Sequence, residues 1–519
     1  MGAVPLVARD LVGVVTAPPA CVRLSPADDA IADYLHDESK LTSRGAGSLA
    51  VPETVEELRQ VLAWHAANGH AVAISGSRTG VVGGAVPEPD AHLVALSALR
   101  GVLSVDEAGE PPTATVLAGT CLSELTGYLA ANHPALTFPV DPTETSASIG
   151  GMVATNAGGA RTFRFGAMRE WVEAITVELP SARTLTLRRG AGDGGEGALL
   201  LDDGGEIRRL ELAPIPKPAT KNAIGYGYFS SGDAIDLWIG AEGTLGAVSS
   251  VTVRLQRSSE QRLGYLQFFG DVAAAFRFVV LVRGDRSMRT TALEFLDRRS
   301  HALAAESGKP AVARVLEGSG AAECSVFVEV GFEGDGELET IADTLSDEIV
   351  ACGADPSYSL AGATESELRD IRAFRHAVPE RINAIIAQRR ERHPGLHKIA
   401  TDMAVPDDQL QWVFARYQEV LGGAGLDFAA FGHVGNNHFH VNILPRDEGE
   451  LALAKECYLV LAREIVARGG CVAAEHGIGR IKKPFLAVQY SPEVLARFRS
   501  VKRWVDPRWR FNRGVLIDP

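Results

Sequence analysis

SGSRTGVVGGAVP, residues 75 to 87, follows a short apolar run, AVAI (71 to 74), that reads as a strand. Its glycines and hydroxyls allow backbone N–H groups to surround an anion. A Rossmann dinucleotide fingerprint needs a helix straight after such a loop, so that the helix N-terminus meets the pyrophosphate. Here the continuation, VPEPDAHLVALSAL, carries two prolines and then another apolar run. The context excludes the nicotinamide fold. Upstream, residues 53 to 69 (ETVEELRQVLAWHAANG) place Val55, Leu58, Val61 and Leu62 on one helical face, with Gly69 as a stop.

Two more glycine-rich segments lie in the same half. PVDPTETSASIGGMVATNAGGARTFRFGAM (139 to 168) sets Gly150, Gly151, Gly158, Gly159 and Gly166 among Thr, Ser and Asn, and IGAEGTLGAVSSVTVRL (239 to 255) ends in the alternation of a strand. Three such loops predict one extended ligand touched repeatedly by backbone; any one alone reads as an ordinary surface loop. The acidic piece GAGDGGEGALLLDDGGE (190 to 206) predicts a mobile surface hairpin. After about residue 260 glycine thins out. RLGYLQFFG, a helical DVAAAFRFVVLVRG, TALEFLD and CSVFVEVGFEG predict the alternating strands and helices of an α+β domain. The last 20 residues read as a strap ending RFNRGVLIDP.

Length and charge limit the function classes. A chain of 519 residues predicts two or three domains. Net charge is −14, from 51 basic and 65 acidic residues, and the basic ones are dispersed, which argues against nucleic acid. Neither a signal peptide nor an apolar run of roughly 18 residues is found, so a cytoplasmic protein without a transmembrane segment is expected. The six cysteines form no C-x-x-C pair, which argues against a zinc ribbon, an iron–sulfur cluster or a disulfide framework.

Candidate chemistry concentrates in GHVGNNHFHVN (432 to 442), three of the chain's 13 histidines within eight residues. In HFHVNIL the period is two: His438, His440 and Asn442 point one way, Phe439, Val441 and Ile443 the other, so one face is core and the opposite one polar. His433 lies seven residues before His440, but Gly435-Asn436-Asn437 is strong turn chemistry and can bring them together. In GGCVAAEHGIGRIKKPFL (469 to 486) an apolar strand is predicted to run into Glu475-His476. Two imidazoles and a carboxylate suit a catalytic divalent ion such as zinc or manganese. Satisfied polar groups at a domain interface are the alternative.

Taken together, these motifs resemble those of the FAD-linked D-2-hydroxy-acid dehydrogenases and oxidases, of the D-lactate dehydrogenase, glycolate oxidase large subunit and D-2-hydroxyglutarate dehydrogenase type, within the vanillyl-alcohol-oxidase-like (PCMH-type) flavoproteins. The likeness spans roughly residues 45 to 517. It implies a two-part FAD-binding domain plus a substrate or cap domain with an antiparallel sheet flanked by helices. The implied division is an N-terminal segment (1–44), the FAD domain (45–260), the substrate domain (261–480) and a C-terminal strap (481–519) returning to the FAD domain. The first loop departs at Ser77 and Arg78, where glycines are usual, and FNRG carries Arg513 where proline is more usual.

By this resemblance Gly76, Ser77, Thr79 and Gly80 contact the FAD pyrophosphate. Asp141, Ser148, Gly151, Thr155 and Asn156 line the isoalloxazine and ribityl region, and Glu242, Gly246 and Asn512 complete the pocket. No histidine occurs between 75 and 90 to attach flavin, so FAD is expected to be non-covalent. The chain is also similar to the family's G-H-x-G-D-G-N-x-H-x-N and later E-H, with Asn436, Asn437 and His438 in place of D-G-N. That implies His433, His440 and Glu475 as ligands of a divalent metal, zinc or manganese, and His476 as base. His438 is an extra ligand or a partner behind one. AFRHAVPERIN and HKIATDMAVP resemble the family's arginine and lysine segments. Arg375 is expected to grip a substrate carboxylate in a fork, with Lys398 second; surface salt bridges are the alternative for both.

The implied reaction is oxidation of a small-molecule D-2-hydroxy acid to the 2-oxo acid. The substrate chelates the metal through its hydroxyl and one carboxylate oxygen, His476 takes the hydroxyl proton, and hydride goes to flavin N5. Electrons then leave to a separate acceptor: a quinone, an electron-transferring flavoprotein, a cytochrome or oxygen. A homodimer and a peripheral membrane placement are left open. The rivals are a non-redox flavin enzyme resembling alkylglycerone-phosphate synthase and a flavin-binding module without turnover.

Overall fold

A computed structural model describes residues 6–9, 17–23, 29–191, 198–211, 213–227, 233–257 and 260–519. The helix expected over 53–69 forms as α1 (Val55–Ala67). Thr54 caps it, its hydroxyl accepting the Glu57 N–H at 3.1 Å, while Leu58, Val61 and Leu62 are buried. β1 (Val72–Ser75) and β2 (His92–Ala95) run parallel. They are joined by the 76–91 connection without a helix, so the local context that excludes a Rossmann unit is present in three dimensions. Leu49–Ala50 and Val22–Arg23 complete this four-stranded sheet.

The segment 139–168, expected as a loop, contains α2 (Ile149–Thr155), capped by Ser148. Gly150 permits its seating: a Cβ there would lie 2.6 Å from the Ala118 Cβ and 2.9 Å from the Ala118 carbonyl. β3 (Ala247–Arg254) is the strand foreseen at the end of the third loop. It lies between Val172–Glu178 and Thr113–Leu117 in a five-stranded antiparallel sheet, with Val251 and Val253 buried.

The predicted mobile hairpin at 190–206 is corrected in part. Residues 192–197 lie outside the described ones, but Ala198–Asp203 is a strand paired to Leu6–Ala8 and Ile207–Glu211, and Leu199 and Leu201 are buried. The apolar run ALLL supplies what the acidic and glycine residues around it lack.

The second half is built on an antiparallel sheet flanked by helices. Its long strands are β4 (Gln261–Phe269), β5 (Arg289–Asp297) and β6 (Cys324–Phe332). After the helix α3 (Glu365–Arg390) come β7 (Phe428–Gly432) and β8 (His438–Ile443). The order is Ser359–Gly362, β4, β6, β5, β7, β8, Ile399–Ala400. Phe295 and Phe439 pack with Phe276 and Phe414 on one face, while Leu266 and Leu296 pack with Phe374 and Val378 of α3 on the other. Both faces are therefore covered, and the side of β8 expected as polar is also buried: His438 is 0 % and Asn442 3 % exposed.

Ion pairs join the halves. Arg161 grips Glu329 of β6 in a fork at 2.8 and 3.1 Å, and Arg164 grips Glu260 with both contacts at 3.0 Å. The C-terminal part, expected as a strap, opens as two helices (Lys483–Gln489 and Pro492–Val505), and the strap proper then runs beside β1. There the Asn512 side chain accepts the Ile74 N–H at 2.7 Å and donates to the Glu242 carbonyl at 2.8 Å. Among the described residues no helix is long and apolar enough to cross a membrane.

Candidate active site

Gly432 ends β7 at φ 124°, and a Cβ there would sit 2.8 Å from His440 Cδ2, so glycine lets the two strands close at this point. The turn Val434–Asn436 follows, closed by Asn437 in the left-handed conformation at φ 49°. β8 returns antiparallel with Phe431 opposite His440. The convergence that the odd spacing left open thus occurs: the rings of His433 and His440 are 5.0 Å apart, and those of His438 and His440 4.4 Å.

Glu475 and His476 reach the same place by a route the sequence did not disclose. They do not end a regular strand; Cys471 makes one isolated bridge to Ala404 and the chain beyond is irregular. Two buried carboxylates substitute for a strand partner. Asp402 accepts the N–H groups of Glu475 and His476, both at 3.0 Å. Glu242 accepts those of Ile478 and Gly479 at 2.8 and 2.7 Å. Asp402 also pairs with the buried Lys482 and lies 2.9 Å from His438 Nε2.

A chain of charges passes through the cluster. Arg375 of α3 lies 2.6 Å from Glu294 of β5, whose other oxygen lies 2.5 Å from His433 Nδ1; His433 Nε2 is 3.0 Å from Glu475 Oε2. His433, His438, His440 and Glu475 each offer a ligand atom, all within 4.8 Å of one another. His438 Nδ1 is buried without a hydrogen-bond partner, 3.6 Å from Glu475. Three imidazoles, a carboxylate and an unpartnered ring nitrogen aimed among them fit a divalent cation.

Burial alone would raise the Glu475 carboxyl, but Lys221 and His433 more than reverse it and hold it well below the usual range. Burial would likewise raise Glu294, yet Arg375 and His433 hold it at about 2. Burial and the neighbouring rings push His440 well down; burial takes His438 to about 4 and lowers His476, although Asp402 pulls both the other way. His433 is the exception, since Glu294 outweighs its burial and raises it. His438, His440 and His476 are thus held neutral beside ionised carboxylates, the state that coordination requires, whereas His433, raised by Glu294, must release its proton to a cation it binds.

A cavity of about 300 Å³ opens beside this cluster. Of the residues expected at FAD, Gly76, Ser77, Thr79, Gly80, Ser148, Gly151, Thr155, Glu242, Gly246 and Asn512 line it, with Glu475 and His476 on the same wall. The Ser75 and Ser77 hydroxyls, on that lining, are buried without hydrogen-bond partners, which fits a polar cofactor supplying them. Two expected residues lie elsewhere. Asn156 is the left-handed C-cap of α2, its side-chain oxygen accepting the Arg169 N–H at 2.9 Å. Asp141 lines a second cavity, of about 160 Å³, with Arg161, Glu329 and Arg375.

The two expected substrate cations also separate. Arg375 is one side chain behind His433, through Glu294, although a third of its side chain is exposed and lines the second cavity. Lys398 lines neither cavity, and burial and Lys40 lower its pKa. It precedes the two-residue strand Ile399–Ala400, which pairs with Ile443 and Asn442 at the far end of β8. That register puts it roughly 13 Å along the strand from His440. Lys221 is the cation at the cluster instead, its ammonium 2.7 Å from Glu475 Oε2. Lys221, Glu294 and Asp402 went unnoticed because their partners lie far away in sequence. Only Asp402 left a signal, a lone charge in IATDMAVP (399 to 406), whose other residues are apolar or uncharged.

Residues 47–188 match the family model described as FAD binding domain, and residues 259–516 match FAD linked oxidases, C-terminal domain. A D-2-hydroxyglutarate dehydrogenase of Xanthomonas citri pv. viticola is 30% identical, over 96% of this chain and 94% of its own. The chain belongs to the FAD-linked oxidases. This FAD-linked oxidase is also 27% identical to a D-lactate dehydrogenase of Anaerostipes hadrus, over 95% of this chain and 94% of that one. Among solved structures, p-cresol methylhydroxylase shares the fold at TM-score 0.69 and 15% identity, covering 96% of this chain and 94% of its own. The present chain is a FAD-linked oxidoreductase of the D-lactate and D-2-hydroxyglutarate dehydrogenase type, with a mixed helix and sheet fold as expected.

Proposed function

We propose that this FAD-linked oxidase converts a D-2-hydroxy acid to its 2-oxo acid, with His433, His440 and Glu475 holding a divalent cation, zinc or manganese, and His438 as a fourth donor. The observation that carries the reading is the shared wall: Glu475 touches His433 and, with His476, faces the cavity lined by the glycine-rich loops. Flavin, when bound, supplies the acceptor for the substrate hydride, and a divalent cation supplies the Lewis acid for its hydroxyl. His476 is the base. Its lowered pKa keeps it neutral near pH 7, and Asp402, 3.6 Å from Nδ1, favours a proton there and leaves Nε2 to accept the hydroxyl proton. Arg375 orients Glu294 and His433, and its exposed edge serves the substrate carboxylate.

A second reading is favoured by Lys221, whose ammonium already neutralises Glu475 and could supply the positive charge without a metal. The deciding experiment is an anaerobic screen of D-lactate, glycolate, D-2-hydroxyglutarate and longer D-2-hydroxy acids, following flavin absorbance with and without a chelator. Bleaching that a chelator abolishes supports the metal-assisted reaction, and chelator-resistant bleaching supports Lys221. A flavin that none of these acids bleaches ends both.

A further inference from the structure

A second group of histidines lies outside everything described so far. His65 is in the last turn of α1, His70 is in the connection that follows, and His92 opens β2. Because β1 and β2 are parallel, their starts lie together, at the opposite end of β1 from Ser75 and the flavin cavity. Each of the three offers one ring nitrogen, and the three atoms lie within 4.8 Å of one another. His65 Nδ1 and His70 Nδ1 are 3.1 Å apart, close to the roughly 3.3 Å that separates two nitrogens on one tetrahedral ion at 2.0–2.1 Å. The His70 and His92 rings stack at 4.1 Å, and those of His65 and His92 are 4.9 Å apart.

We propose that His65, His70 and His92 form a zinc site distinct from the candidate active site, with water as the fourth ligand. Three features distinguish it from a chance stack of imidazoles. His65 is only 1 % exposed, and among the described residues the one hydrogen-bond partner of its ring is another imidazole, His70 Nδ1, so no backbone group or other side chain accounts for its placement. The fully buried Ser48 holds His92 Nδ1 at 2.7 Å, the outer contact that fixes the tautomer of a ligating histidine and frees its other nitrogen. Trp64 walls the group, 4.7 Å from His65 and 5.0 Å from His70, while His70 and His92 are half-buried and leave an entry path. Burial and the neighbouring rings hold His65 at about 3 and His92 at about 4, so both are neutral and ready to coordinate. The ion would fasten the end of α1 to the starts of β1 and β2, a structural staple for the sheet whose other end carries the first flavin loop.

The test uses the holoenzyme, stripped of loosely held metal and titrated with zinc chloride. Wild type is expected to retain one more equivalent of zinc than His70→Gln and than His70→Gln/His92→Gln, measured by elemental analysis. Its unfolding midpoint is expected to rise by roughly 3 °C with zinc, a rise absent from the variants. Glu475→Gln, altered only in the other cluster, must keep this equivalent and this rise. Flavin absorbance reports whether each variant is folded; if the double variant does not fold, the half-buried single substitution decides. Equal zinc content in wild type and His70→Gln, or no thermal shift in wild type, overturns the proposal.

Discussion

Replacing Asp402 by asparagine separates the stability of the second half from the order of its candidate active site. Asp402 is fully buried, accepts two backbone N–H groups at 3.0 Å, and neutralises Lys482, itself only 4 % exposed. Asn preserves the shape but turns an amide NH2, a donor, toward groups that themselves donate, and leaves a buried ammonium without its partner. Breaking a buried pair in this way costs about 3–5 kcal/mol, an unfolding midpoint lower by roughly 5–10 °C in scanning calorimetry. Since Asp402 also lies 2.9 Å from His438 Nε2, divalent-metal affinity should fall about 10–100-fold, read by titration of the flavin-loaded protein. The double substitution Asp402→Asn/Lys482→Met removes the stranded cation. It should recover most of the stability while the affinity loss and a slowed flavin reduction persist. Wild-type affinity and reduction rate in Asp402→Asn, or no thermal recovery in the double variant, would refute the assignment of Asp402 as the anchor of Glu475 and His476.

His476→Asn should slow anaerobic flavin reduction in stopped flow by about 10²–10⁴-fold at unchanged flavin content; because burial lowers the wild-type imidazole below its usual 6.5, activity should be retained at pH 7 and lost only as acid protonates it below that value. Dialysis against a chelator should abolish bleaching by the substrate acid, and added zinc or manganese should restore it; turnover that persists at undetectable metal content rejects the ligand assignment. For Glu329, burial would raise the carboxyl, but Arg161 holds it at about 2 against 4.5, so its stabilisation of roughly 3 kcal/mol is present above pH 4.5 and is lost as pH falls toward 2. The stability gap between wild type and Glu329→Gln, measured by denaturant unfolding, should therefore shrink across that window. Gly150→Ala presses a methyl onto Ala118 and should cost about 1–3 kcal/mol and reduce flavin content, checked by thermal unfolding and the protein-to-flavin absorbance ratio.

Much of this fold was legible where the signal was local. The helix carrying Leu58, Val61 and Leu62, the strand from Ala247, and the refusal of a helix after Gly84 all follow from neighbours within a few residues. The period-two pattern of β8 was visible too, but not that both its faces are buried, because the groups that meet its His438 side, Asp402 and Glu475, come from sequence well removed from it. Gly150-Gly151 reads as loop material and forms a helix because close packing on Ala118 demands the missing side chain. Ten of the twelve residues expected around flavin share one cavity; Asp141 and Asn156 depart because a capping role and a charged cavity look the same as a cofactor contact along a glycine-rich string. The histidine convergence was conceivable from Gly435-Asn436-Asn437, whereas the buried charges Lys221, Glu294 and Asp402 become visible only in three dimensions.

The backbone on either side of the Glu475-His476 pair is fastened by one carboxylate from each half of the molecule, Asp402 at the pair itself and Glu242 just beyond it. Neither half, expressed alone, could fix that dipeptide at both ends. Chimeras that graft a foreign substrate module onto this flavin module must therefore carry a matched handle for Glu242, or they will bind cofactor and remain idle.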